Sequence, residues 1–197
     1  MRFEIKEIQK ELGITVVYVT HDQTEAMTLG DRIVIMKDGY VNQTGTPQDL
    51  FDRPVNLFVA GFIGMPVMNF FDANLVKEGS QYFVEVGGYR QELAPEKEER
   101  LLNNNVQSQP ITLGVRPEHT DVSDQGIAAR VDVAEMMGSS VHLHVTILGK
   151  DVIVIVSTMN MTGAEVAALA AGAQVNVAFP GSVCHVFNKE TGINLEF

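Results

Sequence analysis

Four short stretches carry side chains that could do chemistry. In the first, Thr20-His21-Asp22 follows the apolar run Ile14 to Val19 and precedes a helix start. An imidazole there could donate a hydrogen bond to a phosphate or move a proton near neutral pH. The plain alternative is a histidine that only packs near the helix start. In the second, His142 and His144 stand two apart on a strand and so share one face, a spacing that two metal ligands can use. No carboxylate or thiolate is tied to them by local sequence, so they read as the polar face opposite Val141, Leu143 and Val145, and no metal is assigned. In the third, Cys184-His185 pairs a nucleophile with a base only in sequence, because adjacent strand residues point to opposite faces. The fourth, Glu96-Lys97-Glu98-Glu99-Arg100, has mixed charges at a helix start and reads as a solvated face favoured by the helix dipole.

The elements that must position these residues fall into two groups. From Met1 to about Gly64 the signals alternate between helix and strand. Met1, Ile5, Ile8 and Leu12 line one face of a helix that Gly13 ends. Ile14 to Val19 is apolar and β-branched or aromatic without polar alternation, the pattern of a strand buried on both faces of a parallel sheet, and Ile33 to Met36 reads the same way. Asp22 with Glu25 three residues later is a capping-box spacing, predicting a helix over 23–29 that stops at Gly30. Asp38-Gly39 is a type I′ turn pair. Thr46, Pro47 and Asp49 open a further helix that Pro54 closes.

From Phe70 onward short strands alternate with turns, from FDANLV through VHLHVTIL and DVIVIVS to CHVF and INLEF, as in a sandwich or small barrel. Helices are predicted at Glu96 to Leu102 behind Pro95 and over the alanine-rich Ala164 to Ala171. Met136-Met137 reads as core filler.

Composition narrows the partners. Across 197 residues, 14 Lys and Arg face 25 Asp and Glu, a net charge of −11 that repels a polyanion. Residues 56–197 hold 8 basic against 16 acidic side chains, which excludes the basic, aromatic-studded groove of a nucleic-acid-binding barrel. Neither a run of about 18 apolar residues nor a signal-peptide core occurs, and the single cysteine excludes an internal disulfide.

The stretch VVYVTHDQTEAMTLGDRIVIMKDGYVNQTGTPQDLF resembles the end of the nucleotide-binding domain of ATP-binding-cassette transporters. The resemblance runs on through Arg53-Pro54, FVAGFIGMPVMNF, GVRPEHT, AEMMGSSVHLHV and the terminal CHVF, covers all 197 residues, and points to the maltose-type ATPase subunits of carbohydrate importers. It implies a C-terminal remnant of the α/β nucleotide-binding domain at 1–63 and a regulatory and dimerisation domain at 64–197, an all-β barrel of the oligonucleotide/oligosaccharide-binding (TOBE) type. His21 falls on the family's switch histidine, both catalytic and in contact with the γ-phosphate of ATP. Partners implied are a second copy, membrane permease subunits and a cytoplasmic regulatory protein, with the subunit on the inner face of the cell membrane. The other reading open at this point is a small-molecule or anion sensor from a polyamine, iron or anion importer ATPase. Phe51 and Ser140 depart from the family's commonest pattern, which has tyrosine and an acid there.

A P-loop needs a glycine-rich turn with a lysine and a hydroxyl. No G-x-x-x-x-G-K-[ST] occurs here, and Gly149-Lys150 has His144 where the upstream glycine belongs. The LSGGQ signature loop is absent too, as is an apolar strand ending in paired acids. The expectation is a C-terminal piece of an ATPase with no cofactor of its own and no activity alone, ATP and magnesium belonging to the full-length parent.

Overall fold

The computed structural model describes residues 2–197, with side chains described from Glu4 onward, so the reading of Met1 as part of the first helical face lies outside the described residues. The chain divides into two compact units, Met1–Gly64 and Met65–Phe197.

In the first unit α1 (Arg2–Leu12) ends at Gly13, whose φ of +62° lets its N–H reach the Gln9 carbonyl at 3.0 Å. Residues 14–20 belong to no helix or strand among the described residues, and Ile14 to Val19 are exposed, which corrects the buried-strand expectation. A strand needs neighbours that take its N–H and C=O groups, and β-branched composition does not supply them.

Next comes α2 (Gln23–Leu29). After it, β1 (Ile33–Lys37) and β2 (Tyr40–Gly45) form an antiparallel hairpin about Asp38-Gly39, where φ is +51° and +82° as a type I′ turn requires. Of β1 only Ile35 is buried, with Val34 and Met36 exposed on the other face, so the second parallel-strand expectation is also corrected. α3 (Pro47–Asp52) carries the complete Thr46–Asp49 capping box. The sequence pattern did not reveal α4 (Leu57–Phe62), capped by Asn56. Ile35, Leu50, Val59 and Ile63 make the small core of this unit.

The second unit is built from two five-stranded antiparallel sheets around one core. One sheet has the order β12-β6-β3-β4-β5, with β3 (Asn69–Glu78), β4 (Gln81–Val86), β5 (Tyr89–Glu92), β6 (Gln109–Val115) and β12 (His185–Asn188). The other has the order β10-β9-β8-β11-β7, with β7 (Asp121–Ser123), β8 (Ile127–Met136), β9 (Ser140–Ile147), β10 (Lys150–Ser157) and β11 (Gln174–Ala178). In β9 the alternation is strict: Val141, Leu143, Val145 and Ile147 are buried while the residues between them face outward. At about 1.5–3 kcal/mol for each fully buried aliphatic side chain, these inward rows are what hold the barrel.

Gly181 shows why one position admits no side chain. A Cβ there would lie 1.9 Å from the Glu92 carbonyl oxygen, so the two backbones approach this closely only through glycine.

Helix α5 (Pro95–Asn103) forms where the sequence predicts it, whereas α6 (Gly163–Ala167) is shorter than its alanines suggest. The chain beyond it is drawn into the sheet: Gly172 N–H donates to the Val131 carbonyl at 2.7 Å, and Val131 N–H to Ala173 at 2.9 Å. Tertiary hydrogen bonds here outweigh helix propensities worth tenths of a kcal/mol. The predicted strand INLEF is likewise reduced to bridge residues at Ile193 and Asn194, the latter paired with Phe187, with Leu195 N–H on the Val186 carbonyl. Among the described residues no helix is long and apolar enough to cross a membrane.

Candidate functional site

The His21 turn is set by a small polar cluster. Asp22 sits in extended backbone (φ −90°, ψ 110°), and its carboxylate accepts from Thr24 N–H at 2.7 Å and Glu25 N–H at 3.1 Å, satisfying two of the helix's unpaired donors. The expected reciprocal bond from Glu25 is redirected. Thr20 Oγ1 accepts from Asp22 N–H at 3.0 Å and donates to Glu25 Oε2 at 2.8 Å, while Tyr18 Oη donates to the same oxygen at 3.3 Å. A turn pinned on both sides of one residue holds that residue at a defined place. The residue is His21, which is exposed.

Gln23, which no spacing rule singles out, reaches across 41 positions: Gly64 N–H donates to its Oε1 at 2.9 Å, and its Nε2 donates to the Gly64 carbonyl at 3.3 Å. Only a tertiary structure could bring these two together.

The other chemistry-bearing stretches resolve separately. Cys184 and His185 are both buried and act through no common bond. Burial pushes the Cys184 thiol up to about 12, and its Sγ donates to the Pro180 carbonyl. Burial, then the positive charges of Lys97 and Arg116, hold the His185 imidazole down at about 3, so it is neutral and stacks against Phe187. A thiol so hard to ionise is a structural side chain. His142 and His144 lie on the outward face of β9, with His144 Nε2 3.7 Å from Glu135 Oε2. Among the described residues no three His, Cys, Asp or Glu side chains gather in a metal-binding group.

Two readings are corrected. Lys97, assigned to a solvated face, is buried, and its ammonium lies 2.9 and 3.0 Å from the two oxygens of the buried Glu196 carboxylate, which also takes Arg100 at 3.2 Å. Lys97 and Leu101, four positions apart, are the buried residues of α5, and the C-terminal segment supplies the counter-charge 99 residues away, beyond the reach of any local pattern. Met136 and Met137 are exposed, Met136 as the last residue of β8 beyond its bulge between Val131 and Val133 and Met137 in the turn that leads to β9.

Family models match most of the second unit: a MalK OB fold domain over residues 64–120 and a TOBE domain over 113–187. The chain is 38% identical over 203 residues to the trehalose/maltose import ATP-binding protein MalK of Thermococcus litoralis, covering 98% of this chain and 51% of that protein. It is 40% identical over 196 residues to the sn-glycerol-3-phosphate import ATP-binding protein UgpC of Ruegeria pomeroyi, covering 98% and 50%. A putative uncharacterized ABC transporter ATP-binding protein of Escherichia coli K12, YcjV, is 38% identical over 196 residues, with 98% and 51% covered.

The two-sheet unit is thus of a defined class, an OB-like barrel that matches the MalK OB and TOBE domain models from residue 64 to 187. More particularly, it is homologous to the C-terminal region of the ATP-binding subunits of ABC importers of the MalK and UgpC kind. The chain spans about half the length of these relatives.

Proposed function

We propose that this chain is the regulatory and dimerising portion of the ATPase subunit of a carbohydrate ABC importer, a subunit that in full length couples ATP hydrolysis to sugar uptake. The supporting observation is the run, in one continuous chain, of the pinned His21 turn and a barrel that matches the MalK OB and TOBE models from residue 64 to 187. The names of the relatives, trehalose/maltose and sn-glycerol-3-phosphate importers, favour a small polyhydroxylated solute over a polyamine or metal as the cargo.

In the intact subunit His21 would serve as the switch histidine, its imidazole donating to the γ-phosphate and helping to hold the attacking water. The residues in hand do not fit a nucleotide and magnesium by themselves. Phosphate-cradling glycines, the lysine and the magnesium ligand supply most of the electrostatic stabilisation in phosphoryl transfer, and neither a P-loop sequence nor, among the described residues, a metal-binding cluster is present. On this reading ATP hydrolysis belongs to the full-length subunit. Its partners are a second copy through residues beyond Gly64, where a two-fold barrel contact would keep two ATPase subunits together, the membrane permease subunits, and a cytoplasmic regulatory protein. Its place is the cytoplasmic face of the membrane.

Calorimetry with magnesium and ATP tests the first half of this reading. No binding in the micromolar range is expected for this chain, and turnover abolished by His21→Ala in it would overturn the assignment. Light scattering tests the second half: a dimer is expected well above micromolar concentration, and a monomer there would remove the dimerising role.

A further inference from the structure

We propose that the Gln23 carboxamide is a positioning link that makes the His21 turn and the exit of the first unit at Gly64 move as one body. The proposal rests on the reading of His21 as the phosphate-facing histidine and adds to it a route by which that turn is coupled to the chain entering the barrel.

The geometry is specific. Gln23 is the first residue of α2, two positions after His21 and one after Asp22, whose carboxylate fixes the first turn of that helix. Its side-chain amide takes both polar groups of a single peptide residue, accepting from Gly64 N–H at 2.9 Å and donating to Gly64 C=O at 3.3 Å. This is the pattern of one rung of a sheet, made by a side chain. Gly64 follows Ile63, the C-cap of α4 whose N–H closes the last helical bond on Val59, and it holds φ at +119°, a conformation that side-chain-bearing residues rarely adopt. The second unit begins at the next residue, Met65.

Two antiparallel amide bonds fix distance and orientation together, which a single bond or an apolar contact does not. A displacement of the His21 turn that carries the start of α2 must therefore either break both bonds or carry Gly64 with it. A purely stabilising contact at this place would be met by any bond that satisfied Gly64, whereas coupling requires that strain at either end be felt at the other.

The test is amide exchange and histidine-ring NMR on the whole chain, comparing wild type with Gln23→Ala, Gly64→Ala and the double variant, with unchanged β9 amides from Val141 to Ile147 as the check that the barrel stays folded. In Gln23→Ala the Gly64 amide should exchange about five- to tenfold faster, the effect of one lost hydrogen bond. Exchange at Thr24 and Glu25 should rise with it. Gly64→Ala should speed Thr24 and Glu25 likewise and shift the His21 ring resonance, and in the Gln23→Ala background it should do neither. Gln23→Glu, which keeps the acceptor for Gly64 N–H but sets a carboxylate oxygen against its carbonyl, should fall between. Unchanged Gly64 exchange in Gln23→Ala, additive effects in the double variant, or a His21 resonance that answers Gly64→Ala equally in both backgrounds would overturn the link. No nucleotide enters these measurements, so their failure leaves the assignment of His21 to the γ-phosphate untouched, and failure of that assignment leaves the mechanical link standing.

Discussion

Two runs of nearly the same composition meet opposite fates in this molecule. ITVVYV at Ile14 to Val19 and VIVIV at Val152 to Val156 are both almost wholly apolar and β-branched. The second is strand β10, paired along its length with β9 from Lys150↔Ile147 to Ser157↔Ser140, with Val154 wholly buried. The first belongs to no strand among the described residues, with Val17 and Val19 at 87% and 86% exposure. Strand propensity is the fit of a side chain to a pleated, half-buried surface, so it is realised only where a partner strand and a covering layer exist. The barrel closes its own sheets within the chain, and the first unit does not.

The contrast can be broken or sharpened by substitution. The largest effect is expected at the buried charge cluster of the barrel. Glu196→Leu leaves the Lys97 ammonium, itself only 7% exposed, without its counter-charge, and should cost about 3–5 kcal/mol in urea unfolding, with much of the loss recovered in Lys97→Met/Glu196→Leu. A small loss for the single variant would mean that the C-terminal segment does not hold the barrel. Next, Leu143→Ala in β9 should cost about 2–5 kcal/mol, whereas Val17→Ala should change the unfolding free energy by less than about 0.5 kcal/mol. Comparable losses at the two sites would show that Ile14 to Val19 is covered in solution, by another copy of the chain, and would erase the contrast.

A third effect depends on pH. His185 is held neutral in the fold at about 3, below the ordinary value near 6.5, so between those values the unfolded chain binds a proton that the folded chain refuses. Stability is then fully present above about pH 6.5 and declines as pH falls towards 3. Between pH 7 and pH 5 the barrel should lose about 2 kcal/mol through this group, and His185→Leu should flatten that slope. A slope unchanged in the variant would locate the acid sensitivity elsewhere. A smaller loss than those of the barrel is expected at the α3 cap: Thr46→Ala removes it and should cost about 1 kcal/mol, read as faster amide exchange at Asp49 and Leu50 with the barrel amides unaffected.

Local signals were legible wherever the physics is local. The Asp38-Gly39 turn, the Thr46–Asp49 box, the Pro95 helix start and the inward row of β9 each depend on neighbours within a few residues, and each forms at the predicted place. Of the candidate site, the Asp22 cap was legible from its spacing to Glu25, but the route taken by the Glu25 carboxylate, to Thr20 and Tyr18 instead of back to Asp22, was not. Short-range capping patterns specify donors and acceptors without specifying which of several nearby partners wins.

What the amino-acid sequence determined by itself was the division into a mixed helix-and-strand part and a β-rich part, the acidic charge balance, and the motif string that carries the resemblance to ABC importer subunits, because composition, periodicity and turn chemistry are properties of contiguous residues. Only the tertiary structure decided that Lys97 would be buried against Glu196, that Gln23 would hold Gly64, that Met136 and Met137 would lie outside the core, and that one apolar run would become a strand while its twin would not. Each of these turns on which distant groups share a low-dielectric interior or a backbone hydrogen bond, and the free energy of such an encounter belongs to the pair, not to either stretch of sequence.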